Sequence, residues 1–423
     1  MARTILALAA AALGVGALPA AAQVQFGGDF MMRSYAERFW DARDDREDLN
    51  YMRFLGRIYM HAPVSRDASL RTDFVTLSDN PVFPARSIAG TGTLRYSIAQ
   101  IYADLMAPGF LVFDLARFRF GRQQFQIGEG LTLGESYYLT DGWDGARGDF
   151  SYRLWTLTLF GAITGQNLSD DGYYPRPGSD QLYVAKLEYE LYNHTLMGYT
   201  VYDKRRGVFD DNMISGLGSS GSIRYRNLRY FVELAHQEFN TLDGLPEKSG
   251  MGYMAGLSYS WSAGPFRTIK AEIRTAGYQG DDLTTDREEI FSPIYPTWWW
   301  GDRTGYANGS IGGNWPNRDR RPEGSRVWYG RVYVSPSSLP KARLQLQYVT
   351  VSDWVDNDDY NENDDEFAVK LYYQLNDNVR LQGRYVRRIA NGDDYDVSQD
   401  GTITRIEDRV GSDRVMLEFR LRF

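Results

Sequence analysis

The sequence predicts an all-β fold, a transmembrane antiparallel β-barrel of about 18 strands with short periplasmic turns and long extracellular loops. Three observations predict it: an export-type N-terminus, strands that alternate apolar and charged residues up to a terminal Phe423, and connections that alternate short with long.

The N-terminus reads MARTILALAAAALGVGALPAAAQ. Arg3 precedes a small apolar run from Ile5 to Leu18, and Ala20-Ala21-Ala22 stands before Gln23 as an A-x-A cleavage site. Residues 1–22 are therefore expected to be a secretory signal, leaving one domain over 23–423. No later run approaches the ~18–20 apolar residues that a spanning helix needs. The chain has no cysteine, so disulfide frameworks and thiolate chemistry are excluded. His61, His194 and His236 are scattered without ligand spacing, and no Ser–His pair suggests a hydrolase.

The C-terminal strand is the clearest. Val415, Leu417, Phe419, Leu421 and Phe423 alternate with Arg414, Met416, Glu418, Arg420 and Arg422. Such period-2 alternation gives one apolar and one charged face. In 49–61, Met52, Phe54, Ile58 and Met60 share a face against Arg53 and Arg57. In 367–375, Phe367, Val369, Leu371 and Tyr373 oppose Ala368, Lys370, Tyr372 and Gln374. Further strands are expected at 93–106, 110–122, 143–151, 153–164, 221–226 and 228–238. Tight connections such as 63–66, 192–193 and 376–377 alternate with long ones, among them 123–142, 205–220, 277–324, 354–364 and 390–411. In lipid such strands must close on themselves, and at about 18 strands the interior holds water.

With the apolar face toward lipid, the period-2 phase puts about 23 basic and about 10 acidic residues inward. The candidate solute path is Arg53, Arg57, Arg117, Arg119, Arg122, Arg147, Arg224, Arg226, Lys270, Arg274, Arg331, Arg343, Lys370, Arg380 and Arg384. The formal net charge is −8, so loops and turns must carry the balancing acids. A basic lining inside a low-dielectric wall concentrates anions, and the planar Arg fork favours carboxylates. The competing reading is that Arg–Glu ladders only fill a polar interior. The strand phase near Ile98 and Asp114 is left open by the sequence.

Two loops stand out. In 351–366, Asp353, Asp356, Asp358 and Asp359 offer oxygen ligands to Ca²⁺ but lack the glycine of an EF-hand, so a solvated acidic loop is the simpler expectation and no cofactor is required. In 277–324, Trp298, Trp299, Trp300, Asp302 and Arg303 are gate candidates. The alternative is a small aromatic core that pins this loop to the wall.

Gly121-Arg122-Gln123, followed by Trp143-Asp144-Gly145-Ala146-Arg147, resembles the alginate-export family of outer-membrane barrels. The segment Phe291-Ser292-Pro293-Ile294-Tyr295-Pro296 with Gly301-Asp302 fits the same pattern. The resemblance implies an eighteen-stranded channel with an Arg-rich constriction, which passes a polyanionic polysaccharide delivered by periplasmic secretion partners. Other expectations consistent with the residues are a sugar-uptake or general porin and a plugged structural barrel. The expected setting is a Gram-negative outer membrane. There a monomeric barrel meets lipid and lipopolysaccharide and has no nucleic-acid partner.

Overall fold

Alternation at period 2 becomes a wall of eighteen strands, each antiparallel to the next. They are β1 (Gln25–Trp40), β2 (Leu49–Pro63), β3 (Ala68–Pro81), β4 (Leu94–Pro108), β5 (Leu115–Gln123), β6 (Trp143–Tyr152), β7 (Trp155–Ile163), β8 (Gln181–Leu191) and β9 (His194–Arg205). The second half is β10 (Phe209–Ile223), β11 (Leu228–Asn240), β12 (Lys248–Ala263), β13 (Phe266–Tyr278), β14 (Ser325–Pro336), β15 (Ala342–Asp353), β16 (Asn363–Gln374), β17 (Val379–Val397) and β18 (Ile403–Arg422). This computed structural model describes residues 24–40, 49–81, 94–134, 143–163, 181–205, 209–223, 227–240, 248–280, 291, 325–353, 363–397 and 403–423. The expected signal, 1–22, lies outside the described residues.

The barrel closes where β1 meets β18, from Asp29 opposite Arg422 to Trp40 opposite Gly411. Gly28 and Phe423 exchange backbone hydrogen bonds of 2.8 and 3.1 Å at the end of this seam. Closure leaves no open strand edge, the condition for β-structure in lipid. The faces divide as the alternation requires. Phe367, Leu371, Val415 and Leu417 are exposed on the outside, whereas Lys370, Arg414, Glu418 and Met416 are buried inside.

Three segments depart from the sequence reading, and a bulge in β4 fixes a phase that the sequence left open. In β4 a bulge intervenes, because Asp73 pairs with Gln100 but Phe74 pairs with Ile98. Ala99 is the extra residue, and it resets the phase so that Ile98 and Ile101 both face out. The strand expected at 110–122 starts at Leu115, and 109–114 is a turn. The strand expected at 221–226 is the end of β10, which begins at Phe209 and replaces most of the loop expected at 205–220. Finally, β17 and β18 run to 19 and 20 residues as one hairpin and take up most of the loop expected at 390–411.

Candidate functional site

The inner wall carries clustered charge in which cations outnumber their acids. Glu272 (β13) meets Arg331 at 2.8 Å, Lys270 at 3.3 Å, and Arg274. Glu418 (β18) meets Arg33 and Arg380, each at 2.8 Å. Asp104 (β4) meets Arg117 at 2.6 Å and Arg119 at 2.8 Å. Asp73 (β3) meets Arg71 at 3.0 Å as well as Arg57, and Asp29 (β1) meets Arg420 and, at 4.0 Å, Arg422. These five carboxylates thus hold eleven cations. The other pairs are closer to one-to-one, with Arg147 on Asp149 at 2.9 Å and Arg384 on Glu366 at 3.4 Å. Lys370 donates to Gln347 Oε1 at 2.9 Å.

Arg343 is held differently. It faces the lumen near the turn end of β15, exposed, with its guanidinium over Tyr372 at 4.6 Å and Tyr333 at 5.0 Å. No carboxylate meets it among the described residues. Stacking uses the guanidinium face and leaves its in-plane donors open to an incoming anion.

Of the fifteen path candidates, eleven stand on the inner face with described side chains. Arg53 stands opposite the inward Arg33 in register, but its side chain lies outside the described residues, as do Arg224 and Arg226 altogether. Arg122 is a correction. It follows the inward Arg119 by three positions, so period 2 puts it outside, opposite the exposed Ile101 and Asp144. There it forms a two-point pair with Asp144 at 2.8 and 2.7 Å. Arg122→Gln should leave ion selectivity unchanged and cost at most about 1 kcal/mol, as expected of a partly exposed pair; a reversal-potential measurement checks the first point.

The same pairing explains the motif behind the family resemblance. Gly121, Arg122 and Gln123 stand directly opposite Gly145, Asp144 and Trp143. Gly121 has φ of 120°, and a Cβ there would strike the carbonyl of Ile101. Gln123 also donates to the Gly145 carbonyl at 3.3 Å. The motif is therefore a wall clamp between β5 and β6.

A second feature was read from sequence only as a long external loop. Residues 124–134 fold against the inner wall, and Phe125, Ile127, Leu131 and Leu133 are at most 1% exposed. They join an apolar cluster on the upper inner face of β7 to β15, which includes Phe160, Tyr199, Ile214, Met254 and Val349. Phe125 stacks on Phe160 at 4.4 Å. The loop reverses at Gly128 and Gly130, both at positive φ, and Ile127 N–H bonds the Leu133 carbonyl at 2.9 Å. Its tip is latched to Glu233, which accepts from Glu129 N–H at 3.0 Å and Tyr199 Oη at 2.9 Å. Thr132 meets the same Tyr199 hydroxyl at 2.9 Å, and Glu129 approaches Arg274 at 3.6 Å.

Phe291, at the head of the Trp-containing segment, is also buried in this cluster, 6.0 Å from Tyr278. Trp298, Trp299, Trp300, Asp302 and Arg303 lie outside the described residues, as do Asp356, Asp358, Asp359 and the side chain of Asp353. Sequence reasoning also missed Arg33 and Asp29, whose alternation in β1 is blurred by the inward Met31 and Tyr35.

A closed eighteen-stranded barrel with an apolar outer face, a charged interior and an inserted loop has the fold of an outer-membrane porin. Among the solved structures it resembles are three proteins of Pseudomonas aeruginosa: OccK9 (OpdG), TM-score 0.59 at 11% identity; OpdL, 0.58 at 12%; and OpdK with vanillate, 0.55 at 13%. The matches cover 95%, 95% and 94% of this chain and 99%, 100% and 99% of theirs, respectively. At these identities the likeness is one of fold. No family model and no curated protein matches the chain.

Proposed function

We propose that this protein is a passive outer-membrane channel for small anionic solutes, carboxylates foremost. The observation that carries this reading is the lining in which, among the described residues, five carboxylates hold eleven cations while the exposed Arg343 meets none. Ladders that merely filled the interior would balance their charges. An unbalanced basic lining raises the local anion concentration instead.

Passage of a polyuronate such as alginate was suggested by a motif that serves here as architecture, so it supports no particular cargo. The loop seated inside the lumen favours solutes smaller than a polymer. The test is a planar-bilayer recording across a salt gradient. Anion preference is expected, and cation preference would overturn the proposal. Block by glucuronate but not by glucose is expected as well, whereas equal indifference to both would favour a general uptake porin. Arg343→Glu should lower the anion preference measurably, since it changes an exposed lumen charge by two without breaking an ion pair.

A further inference from the structure

The turn between β4 and β5 reads Gly109-Phe110-Leu111-Val112-Phe113-Asp114, four consecutive apolar residues at the end of the barrel that carries the short turns. It folds toward the outside of the wall. Phe110 packs edge-on against Phe118 at 5.6 Å, and Phe113 lies 5.1 Å from Phe150. Phe118 and Phe150 are outward residues, the former opposite Leu105 and the latter opposite Leu157. Ala116 shares that outward face, between Ala107 and Phe150 in register, yet is 0% exposed. The tip stays uncovered, with Leu111 80% and Val112 74% exposed.

The turn is also built to hold this shape. Leu111 takes φ of 54°, a left-handed conformation that a branched residue adopts only under constraint. Gly109 N–H bonds the Asp114 carbonyl at 2.9 Å, and the Asp114 carboxylate accepts from Arg153 N–H at 2.7 Å in the neighbouring turn. Beside it Arg153 lies over the Tyr152 ring at 5.2 Å, and Trp155 meets Tyr189 at 4.4 Å, the rings tilted, on the outer face. Amphipathic aromatics with a basic side chain mark the headgroup level of a membrane.

We propose that the turn 109–114 is a lipid anchor that inserts Leu111 and Val112 into the periplasmic leaflet of the outer membrane. Its occupant is phospholipid, because the apolar tip is continuous with the lipid-facing rings of β5 and β6. Two other turns of this end lack the four-residue apolar run: 64–67 is Val-Ser-Arg-Asp and 375–378 is Leu-Asn-Asp-Asn, while 192–193 exposes the single aromatic Tyr192.

The absence of native cysteine makes a single label unambiguous. Leu111→Cys, Val112→Cys and, as the aqueous reference, Asp377→Cys would each carry a nitroxide in full-length barrels reconstituted into phosphatidylethanolamine–phosphatidylglycerol vesicles. Folding is checked by heat-modifiable migration, and Val112→Cys serves if the strained position 111 does not tolerate substitution. At 111 and 112 the ratio of oxygen to nickel-chelate collisions should exceed that at 377 several-fold. Ratios equal to that at 377 would place the tip in water and overturn the proposal. Protection from both reagents, with dipolar broadening between labels, would point to contact between copies and overturn it equally.

Discussion

Replacing residues 125–133 with a short glycine–serine linker is expected to raise single-channel conductance several-fold while leaving the barrel folded. The segment contributes no strand to the wall, so closure by β1 and β18 is untouched. What holds it inside is apolar contact, through four side chains at most 1% exposed, together with the latch from Glu129 N–H to Glu233. A graded version is available. Leu131→Ala and Leu133→Ala each remove a fully buried side chain, a change that costs about 2–5 kcal/mol in packed interiors. Here the loss falls on docking of the loop, because the wall hydrogen bonds do not depend on it. Each 1.4 kcal/mol shifts a docked-to-undocked ratio tenfold, so the double variant should flicker between a small and a large conductance level. Recordings that show the native level, without added noise, would mean that the loop does not narrow the path.

How much of this was legible in the sequence depends on how each residue is constrained. The strands with strict alternation, such as Val415–Phe423 and Phe367–Tyr373, were readable because lipid on one side and water on the other force opposite chemistry on neighbouring residues. The lumen cations followed from the same rule. Arg122 did not fit it: three positions after Arg119, parity alone puts it outside, opposite Ile101 and Asp144. The bulge at Ala99 is one extra residue with no composition signal. In β10 the sequence MISGLGSSGSI offers little contrast between faces, and its inward Gly216 makes room for the Tyr199 ring, so the packing that defines the strand is invisible locally. The inserted loop did leave a signal. Phe125, Ile127, Leu131 and Leu133 alternate around two glycines, a pattern wasted on a loop in water. Its seat is assembled from nine strands distant in sequence, so only the folded barrel shows where those side chains go.

The basic lining can be pushed further in the direction already built. Glu272→Gln is expected to strengthen anion preference and to weaken the barrel at the same time. Glu272 is buried on β13 and shared by Lys270, Arg274 and Arg331, each still partly open to the lumen. Removing its charge makes the lining more positive by one and frees three cations from their common acceptor, so the reversal potential should move toward the anion limit. The same change takes that counter-charge from Lys270 and Arg331 and leaves Arg274 beside Glu129. A fully buried pair that loses one partner costs about 3–5 kcal/mol. The cations here keep contact with water, so the loss should be nearer 1–3 kcal/mol, seen as a lower midpoint for heat-modifiable unfolding. The two effects separate the competing accounts of the wall. If Glu272 serves only to neutralise a filled interior, its loss lowers the midpoint while permeation stays as it was. If the wall is an anion path whose charge is held partly in check by its acids, selectivity rises even as stability falls. Glu272→Asp completes the comparison. It keeps the charge but shortens the reach to three cations on two strands, so selectivity should remain near native while the midpoint drops. A Glu272→Gln barrel with reduced anion preference would contradict the electrostatic account of the lumen itself.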